Sequence, residues 1–332
     1  MTKIITEENI DEAAKCLKNG GTVVFPTETV YGLGADAFND VAIDKIYKAK
    51  GRPSDNPLIV HIADVADLEM LAESVSDDCK KLINAFWPGP LTIIFPKASG
   101  VHMRVTAGLD TVAVRFPSNP TAQRLIKESG VFVAAPSANL SGSPSPTAAR
   151  HVVDDLDGRV DYIIKGDDCD IGLESTVIDM TGEFPNILRP GAVTREMIQK
   201  ILPDVAEDKC TTSDVKKPKC PGMKYKHYAP KADVEVVEGS KENVRNYIKD
   251  RLKTCKNAGV MTYRGGDYED AVCVLSGGDT MQQYAAKLFY NLRVFDEYKV
   301  DKIFAEFAEE NGIGTAVRNR LYKSAGNNIT EV

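Results

Sequence analysis

Two short apolar runs stop dead at proline. Thr22-Val23-Val24-Phe25 meets Pro26, and Val131-Phe132-Val133-Ala134-Ala135 meets Pro136. Each has the length of a buried strand, and proline, with no N–H and a fixed φ, cannot carry a central ladder further. Loops of small polar residues follow both: Thr27-Glu28-Thr29-Val30-Tyr31-Gly32-Leu33-Gly34 after the first, Ser137-Ala138-Asn139 and Ser141-Gly142-Ser143-Pro144-Ser145 after the second. Further apolar runs read as strands at residues 58–62, 91–95, 111–116, 162–164 and 175–179. Helical spacing separates several of them. Ile10, Ala13, Ala14 and Leu17 end at Asn19-Gly20-Gly21; Ala42, Ile43, Ile46 and Tyr47 run into Lys50; Thr194 is placed to cap a helix through Leu202. Strands alternating with helices predict an α/β or α+β domain on a mixed sheet.

A change in composition divides the chain. Residues 215–231 hold six lysines and no acid, with Pro218, Pro221 and Pro230, in a protein of formal charge −7. That reads either as a solvated, proline-stiffened spacer or as a strap over an anionic ligand. The predicted organisation is residues 1–205 as one domain, 206–232 as a linker and 233–332 as a smaller domain. In the last, strands at 234–237, 259–263, 271–275 and 303–307 alternate with helices at 242–252, 281–295 and 314–323, which suggests a parallel sheet.

Several classes of function are set aside. The acidic charge argues against a broad nucleic-acid surface. No apolar run reaches the ~18 residues of a membrane helix. The first twenty residues carry Glu7, Glu8, Asp11 and Glu12 and no apolar signal core, so a cytoplasmic protein is expected. Seven scattered cysteines, none spaced C-x-x-C, suit a reducing compartment better than disulfides or zinc. There is no G-x-x-x-x-G-K-[ST] phosphate loop and no G-x-S-x-G elbow.

The polar residues beside the strand ends are the candidates for chemistry. Thr27 and Thr29 offer hydroxyls for a ligand or for capping a turn. Lys50 and Arg52, two apart before Pro53 and Pro57, would face one side of an extended loop and suit an anion such as a nucleotide triphosphate. His61, near a strand end, reads as a satisfied core or rim residue or as a ligand contact. Arg115 ends the strand begun by Thr111 and reads as a carboxylate clamp or a rim salt bridge. Ser137, Asn139 and Ser145 sit in the small-residue loop. Arg189-Pro190-Gly191 is expected just before a helix N-terminus, an anion site or a plain turn. Gly312-Ile313-Gly314 is read as helix–strand packing.

Taken in order, these segments resemble the threonylcarbamoyl-AMP synthases of the YrdC type, in the long form with a C-terminal domain. The likeness rests on residues 26–36, 50–57, His61, Trp87-Pro88-Gly89-Pro90-Leu91-Thr92, 112–117, 135–139, Glu174-Ser175-Thr176, Arg189-Pro190-Gly191, 221–230 and Asn319-Arg320-Leu321. It implies a YrdC-like twisted mixed sheet with helices, plus a Rossmann-like accessory domain. It implies synthesis of threonylcarbamoyl-adenylate from L-threonine, bicarbonate and ATP with release of pyrophosphate. A tRNA-modifying transfer complex would consume the product, with Mg²⁺ carried by the ATP phosphates. By the same resemblance, Lys50, Arg52, Ser137 and Asn139 form the catalytic set, and Arg52, Asn56, Thr111, Ser137, Ser145 and Arg189 contact ATP. Tyr225, His227 and Tyr228 of the linker would close over ATP. Thr29, His61, Arg115, Ala135 and Ser175 hold threonine. Three rivals stand beside this reading: a double-stranded RNA binder, a maturation factor that starts from carbamoyl phosphate, and a nucleotide sensor without turnover.

Overall fold

The structure, a computed structural model, describes residues 1–207, 227–308 and 311–332, and these divide into two compact units. The first comprises Met1–Ser141, Pro146–Asp170 and the described residues of Glu174–Tyr225; the second, Gly142–Ser145, Ile171–Leu173 and the described residues of Lys226–Val332. Tyr225 and most of the basic linker lie outside the described residues.

The first unit is built on one sheet of eleven strands. In chain order these are β1 (Lys3–Ile5), β2 (Val23–Phe25), β3 (Gly32–Asp36), β4 (Ile59–His61), β5 (Leu91–Pro96), β6 (Thr111–Arg115), β7 (Val133–Ala135), β8 (Tyr162–Ile164), β9 (Thr176–Asp179), β10 (Asn186–Arg189) and β11 (Ala206–Glu207). Their spatial order is β1-β8-β2-β3-β7-β4-β6-β5-β9-β10-β11, a mixed sheet as expected. All three residues of β2 are buried because both faces are covered. Val24 packs into the larger core with the helix Asp40–Lys50. Val23 and Phe25 pack the opposite way, against Ile10, Ala13, Ala14 and Leu17 of the helix Ile10–Lys18 and Leu125 and Ile126 of the helix Pro120–Ser129. On that same face Ile59, Ile94, Ala113 and Val177 form a separate small apolar floor. The polar side chains described below stand beside it.

Three local readings are corrected here. Residues 32–36 form a strand, β3, antiparallel to β2, where a loop was expected. The glycines that suggested a loop are instead there for packing: a Cβ on Gly34 would lie 2.6 Å from Val133 Cγ1. Lys50 and Arg52 do not share an extended loop. Lys50 is the last residue of its helix, and Gly51 stops it at φ 63°, a left-handed cap that favours glycine. Arg189 ends β10 and does not adjoin a helix N-terminus, since the next helix begins at Arg195 with Thr194 as its cap.

The second unit carries a five-stranded sheet of β12 (Asp233–Glu238), β13 (Ala258–Thr262), β14 (Cys273–Ser276), β15 (Lys302–Phe307) and β16 (Ile329–Glu331), in the order β14-β13-β15-β12-β16. Every pairing is parallel. Helices Lys241–Leu252, Met281–Tyr298 and Ile313–Ala325 lie between the strands in sequence, and Gly312 and Gly314 sit at the entry to the last. In this unit β14, expected at 271–275, starts two residues later than read. Buried Glu306 accepts from the Tyr263 N–H at 2.7 Å and from the Tyr268 hydroxyl, so its carboxylate braces the loop after β13.

Candidate active site

Register across the first sheet lines up what the sequence scatters. Val133 on β7, His61 on β4, Arg115 on β6, Thr92 on β5, Val177 on β9 and Arg189 on β10 are successive cross-strand partners. Partners in register share a face, so three of the expected ligand contacts, His61, Arg115 and Arg189, stand in one row. The next row holds Ala135, Ile59, Ala113 and Ile94. Thr111 begins β6, four residues from Arg115, so the two stand about 13 Å apart along the strand.

The turn after β2 closes over this row. Thr27 Oγ1 donates to Val30 O at 2.5 Å and accepts from the Thr29 and Val30 N–H groups at 3.2 Å each, a hydroxyl-stabilised turn. That turn brings Glu28 and Thr29 onto Arg115. Arg115 Nη1 donates to Thr29 Oγ1 at 2.9 Å, and Nη2 lies 2.8 Å from Glu28 Oε1. Burial alone would push the Glu28 carboxyl up; the Arg115 charge, helped by nearby backbone N–H dipoles, outweighs it and holds the carboxyl below its usual range. His61 is buried edge-on to Phe25, with Nδ1 3.1 Å from Ile59 O. A carbonyl only accepts, so Nδ1 carries the proton. Burial first, then the Arg115 charge, bring the His61 pKa down to about 3, and the ring is neutral at pH 7.

Farther along the row, Thr92 and Ser175 share a hydroxyl hydrogen bond of 2.7 Å. Arg189 reaches the same serine twice, Nη2 to Oγ at 3.1 Å and Nε to the carbonyl at 3.0 Å.

Lys50, Ser137 and Asn139 meet at the loop after β7, and Arg52 and Asn56 follow Lys50 in sequence. The backbone ties this loop to the turn after β2, with Ala138 N–H donating to Tyr31 O at 2.8 Å and Leu33 N–H to Pro136 O at 3.0 Å. The Lys50 ammonium is buried and donates to Ser137 O, to Asn139 O at 2.6 Å and to Asn139 Oδ1 at 3.4 Å. Ser137 Oγ donates to the same Oδ1 at 2.5 Å. In this arrangement Lys50 braces the loop, and its charge lies behind Ser137 and Asn139. Arg52 Nη2 donates to Asn56 O at 3.4 Å and Pro57 O at 3.2 Å. The buried Asn56 Oδ1 has no hydrogen-bond partner among the described residues.

Ser145, His227 and Tyr228 belong to the second unit. Ser145 is fully buried, and Tyr228 packs on Phe289 at 5.0 Å between ring centres with the Arg320 guanidinium 5.8 Å from its ring. Sequence reasoning assigned no role to Glu28 or Thr92. Glu28 lies between the two flagged threonines, and Thr92 alternates with Ile94 on β5, but only register shows what either touches. Among the described residues no group of three His, Cys, Asp or Glu side chains is placed to hold a metal, and no helix is long and apolar enough to cross a membrane.

Comparison with known proteins covers the whole chain. A family model described as "Telomere recombination" matches residues 15–191, and one described as "Threonylcarbamoyl-AMP synthase, C-terminal domain" matches residues 193–326. The chain is 48% identical over 327 residues to the threonylcarbamoyl-AMP synthase of Bacillus subtilis, covering 97% of this chain and 94% of that one. It is 47% identical over 331 residues to the threonylcarbamoyl-AMP synthase of Pyrococcus abyssi, covering 99% and 97%. The solved structure of P. abyssi Sua5 complexed with L-threonine superposes with a TM-score of 0.95 at 44% identity, over 100% of this chain and 99% of that one.

Proposed function

The chain belongs to the threonylcarbamoyl-AMP synthases, and from that membership we propose how its residues divide the work of making L-threonylcarbamoyl-adenylate. The enzyme joins L-threonine, bicarbonate and ATP and releases pyrophosphate. We read the product as the donor for threonylcarbamoyladenosine formation in tRNA, passed to a transfer complex in the cytoplasm.

The observation that carries the assignment of roles is a two-ended polar cluster built where backbone bonds tie the turn after β2 to the loop after β7. At one end a buried guanidinium, Arg115, is held by Glu28 and Thr29 beside a neutral imidazole. This end suits the carboxylate and hydroxyl of threonine, with Thr29, His61, Ala135 and Ser175 around it. At the other end Lys50 holds the loop that presents Ser137 and Asn139, with Arg52 and Asn56 alongside. This end suits the triphosphate. Arg189 and Thr111 would then meet the nucleotide, and Ser145, Tyr225, His227 and Tyr228 are assigned to it as well. We keep the division into residues 1–205, 206–232 and 233–332 as the working domain plan.

The chemistry needs positioning more than a covalent nucleophile. Bicarbonate, on protonation, loses water to give carbon dioxide, and the threonine amine adds to it and gives up a proton to leave a carbamate; the carbamate oxygen attacks the α-phosphorus of ATP, the α–β phosphoanhydride bond breaks and pyrophosphate leaves with the electron pair. The carbamate is a weak and short-lived nucleophile, so holding it in line with the phosphorus supplies much of the rate. Cations and N–H donors that take up charge on the phosphate oxygens supply the rest. Mg²⁺ is proposed to ride on the triphosphate, in keeping with its reluctance to lose water.

The test is pyrophosphate release with each substrate omitted in turn. The reading expects release only when L-threonine, bicarbonate and ATP are all present, with threonylcarbamoyl-adenylate seen by mass spectrometry. Release from ATP alone would make the protein an ATP pyrophosphohydrolase and overturn it.

A further inference from the structure

Glu28 is a buried acid that the assignment above uses only as the neighbour of Arg115. It is 8% exposed and Arg115 is 4% exposed. Arg115 Nη1 is satisfied by Thr29 Oγ1, but Nε and Nη2 have no hydrogen-bond acceptor among the described residues. Those two nitrogens form the side-on fork by which arginine takes a carboxylate with two parallel bonds. Glu28 faces them: Oε1 lies 2.8 Å from Nη2 as a charge pair, and the backbone N–H groups of Glu28 and Ser118 also bear on the carboxylate. Donor capacity of a buried guanidinium is thus left open beside a buried acid, an arrangement with room for a ligand's acceptor.

An α-amino acid suits both groups at once. Its carboxylate fits the fork and its ammonium N–H groups fit an acid. The two groups hang from one carbon, so their receptors must be neighbours. Charge gives the same answer: Arg115 and Glu28 sum to zero, so a zwitterion enters with no net buried charge. A hydroxy acid without the amine would bring an uncompensated negative charge, which is costly in a dry site.

We infer that Glu28 is a specificity-determining residue of the amino-acid pocket: it orients Arg115 and supplies the negative charge that admits an α-ammonium carboxylate in preference to a carboxylate lacking the amine. The inference rests on the reading of Arg115 as the carboxylate clamp. Glu28 is not cast as the base that deprotonates the amine, because a carboxylate beside a guanidinium is too weakly basic for that role.

Calorimetric titration of the full-length protein with L-threonine and with 3-hydroxybutanoate, its deamino counterpart, tests this. The wild type is expected to prefer threonine by at least 100-fold, and E28Q to lose at least tenfold of that preference. A merely structural glutamate would weaken both ligands alike, and an unchanged preference in folded E28Q overturns the inference. If E28Q is unfolded by circular dichroism, E28D replaces it. That variant keeps the charge and is expected to keep the preference with weaker threonine binding; loss of preference there would equally overturn the inference. Wild type that binds neither ligand would refute the clamp reading itself, before any variant is made.

Discussion

The two ends of the proposed site are built from different material. The amino-acid end stands on strand termini: His61 closes β4, Arg115 closes β6, and both are almost wholly buried. The phosphate end stands on a helix terminus and on loops, with Arg52 directly after a left-handed glycine and Ser137 and Asn139 in the turn after β7. Strand-borne groups are fixed by ladder hydrogen bonds and core packing on every side. Loop-borne groups depend on a few braces, of which the Lys50 ammonium is the clearest. Damage at the first end is therefore expected to cost both fold and function, and damage at the second mainly function.

Arg115→Ala should show the largest effect and the sharpest coupling. It strands Glu28 as a buried, uncompensated charge, a change that typically costs about 3–5 kcal/mol, and it removes the proposed carboxylate clamp. Denaturant unfolding and threonine-dependent pyrophosphate release should fall together, the latter by about a thousandfold, roughly 4 kcal/mol in rate terms. A stable variant with lost activity would break the contrast.

Arg52→Ala should separate the two properties. Pyrophosphate release is expected to drop at least about 100-fold through lost charge stabilisation, while unfolding stability shifts by no more than about 3 kcal/mol, the worth of two backbone hydrogen bonds. Near-normal turnover would remove Arg52 from the phosphate end.

His61 gives the amino-acid end a signature in acid. Its folded pKa, about 3, lies below the ordinary 6.5. Between those values the unfolded chain binds one more proton than the folded chain. The contribution is therefore complete above about pH 6.5 and is lost by roughly 1.4 kcal/mol per unit as pH falls toward 3. Stability measured from pH 6.5 to 5, above most carboxylate titrations, should slope less steeply in His61→Gln than in the wild type. Equal slopes would mean that His61 is not buried neutral.

Thr92→Val should have the smallest effect. It deletes the hydroxyl partner of Ser175, at a cost of about 1 kcal/mol, and activity should fall only a few-fold because Arg189 still holds the serine through Nη2 and Nε.

Much of this was legible in the sequence, for reasons that differ by residue. β2, β7 and β8 were readable because short apolar runs with clear stops leave few alternatives, and the helices Lys241–Leu252 and Met281–Tyr298 announced themselves by spacing. β3 was not, because its glycines make room for Phe25 across the hairpin and for Val133, a neighbour distant in sequence. β1, β10, β11 and β16 were missed for a related cause. They are short, three of them have no fully buried residue, and pairing more than apolar content makes them strands. In the site, Arg115 and Ser175 could be proposed from local context and family likeness. The row from His61 to Arg189 could not be seen, since register spans some 130 residues and leaves no spacing signal. Glu28 was overlooked because only the fold reveals that its partner is Arg115.

Threonine binding without ATP, measured by calorimetry on the wild type, Arg52→Ala and Arg115→Lys together, tests most directly whether the site has two separable ends. Arg115→Lys keeps the charge and loses the fork. The account predicts that Arg52→Ala binds L-threonine as tightly as the wild type does and that Arg115→Lys binds it at least tenfold more weakly. Equal weakening in both variants would contradict the division on which the proposed mechanism stands.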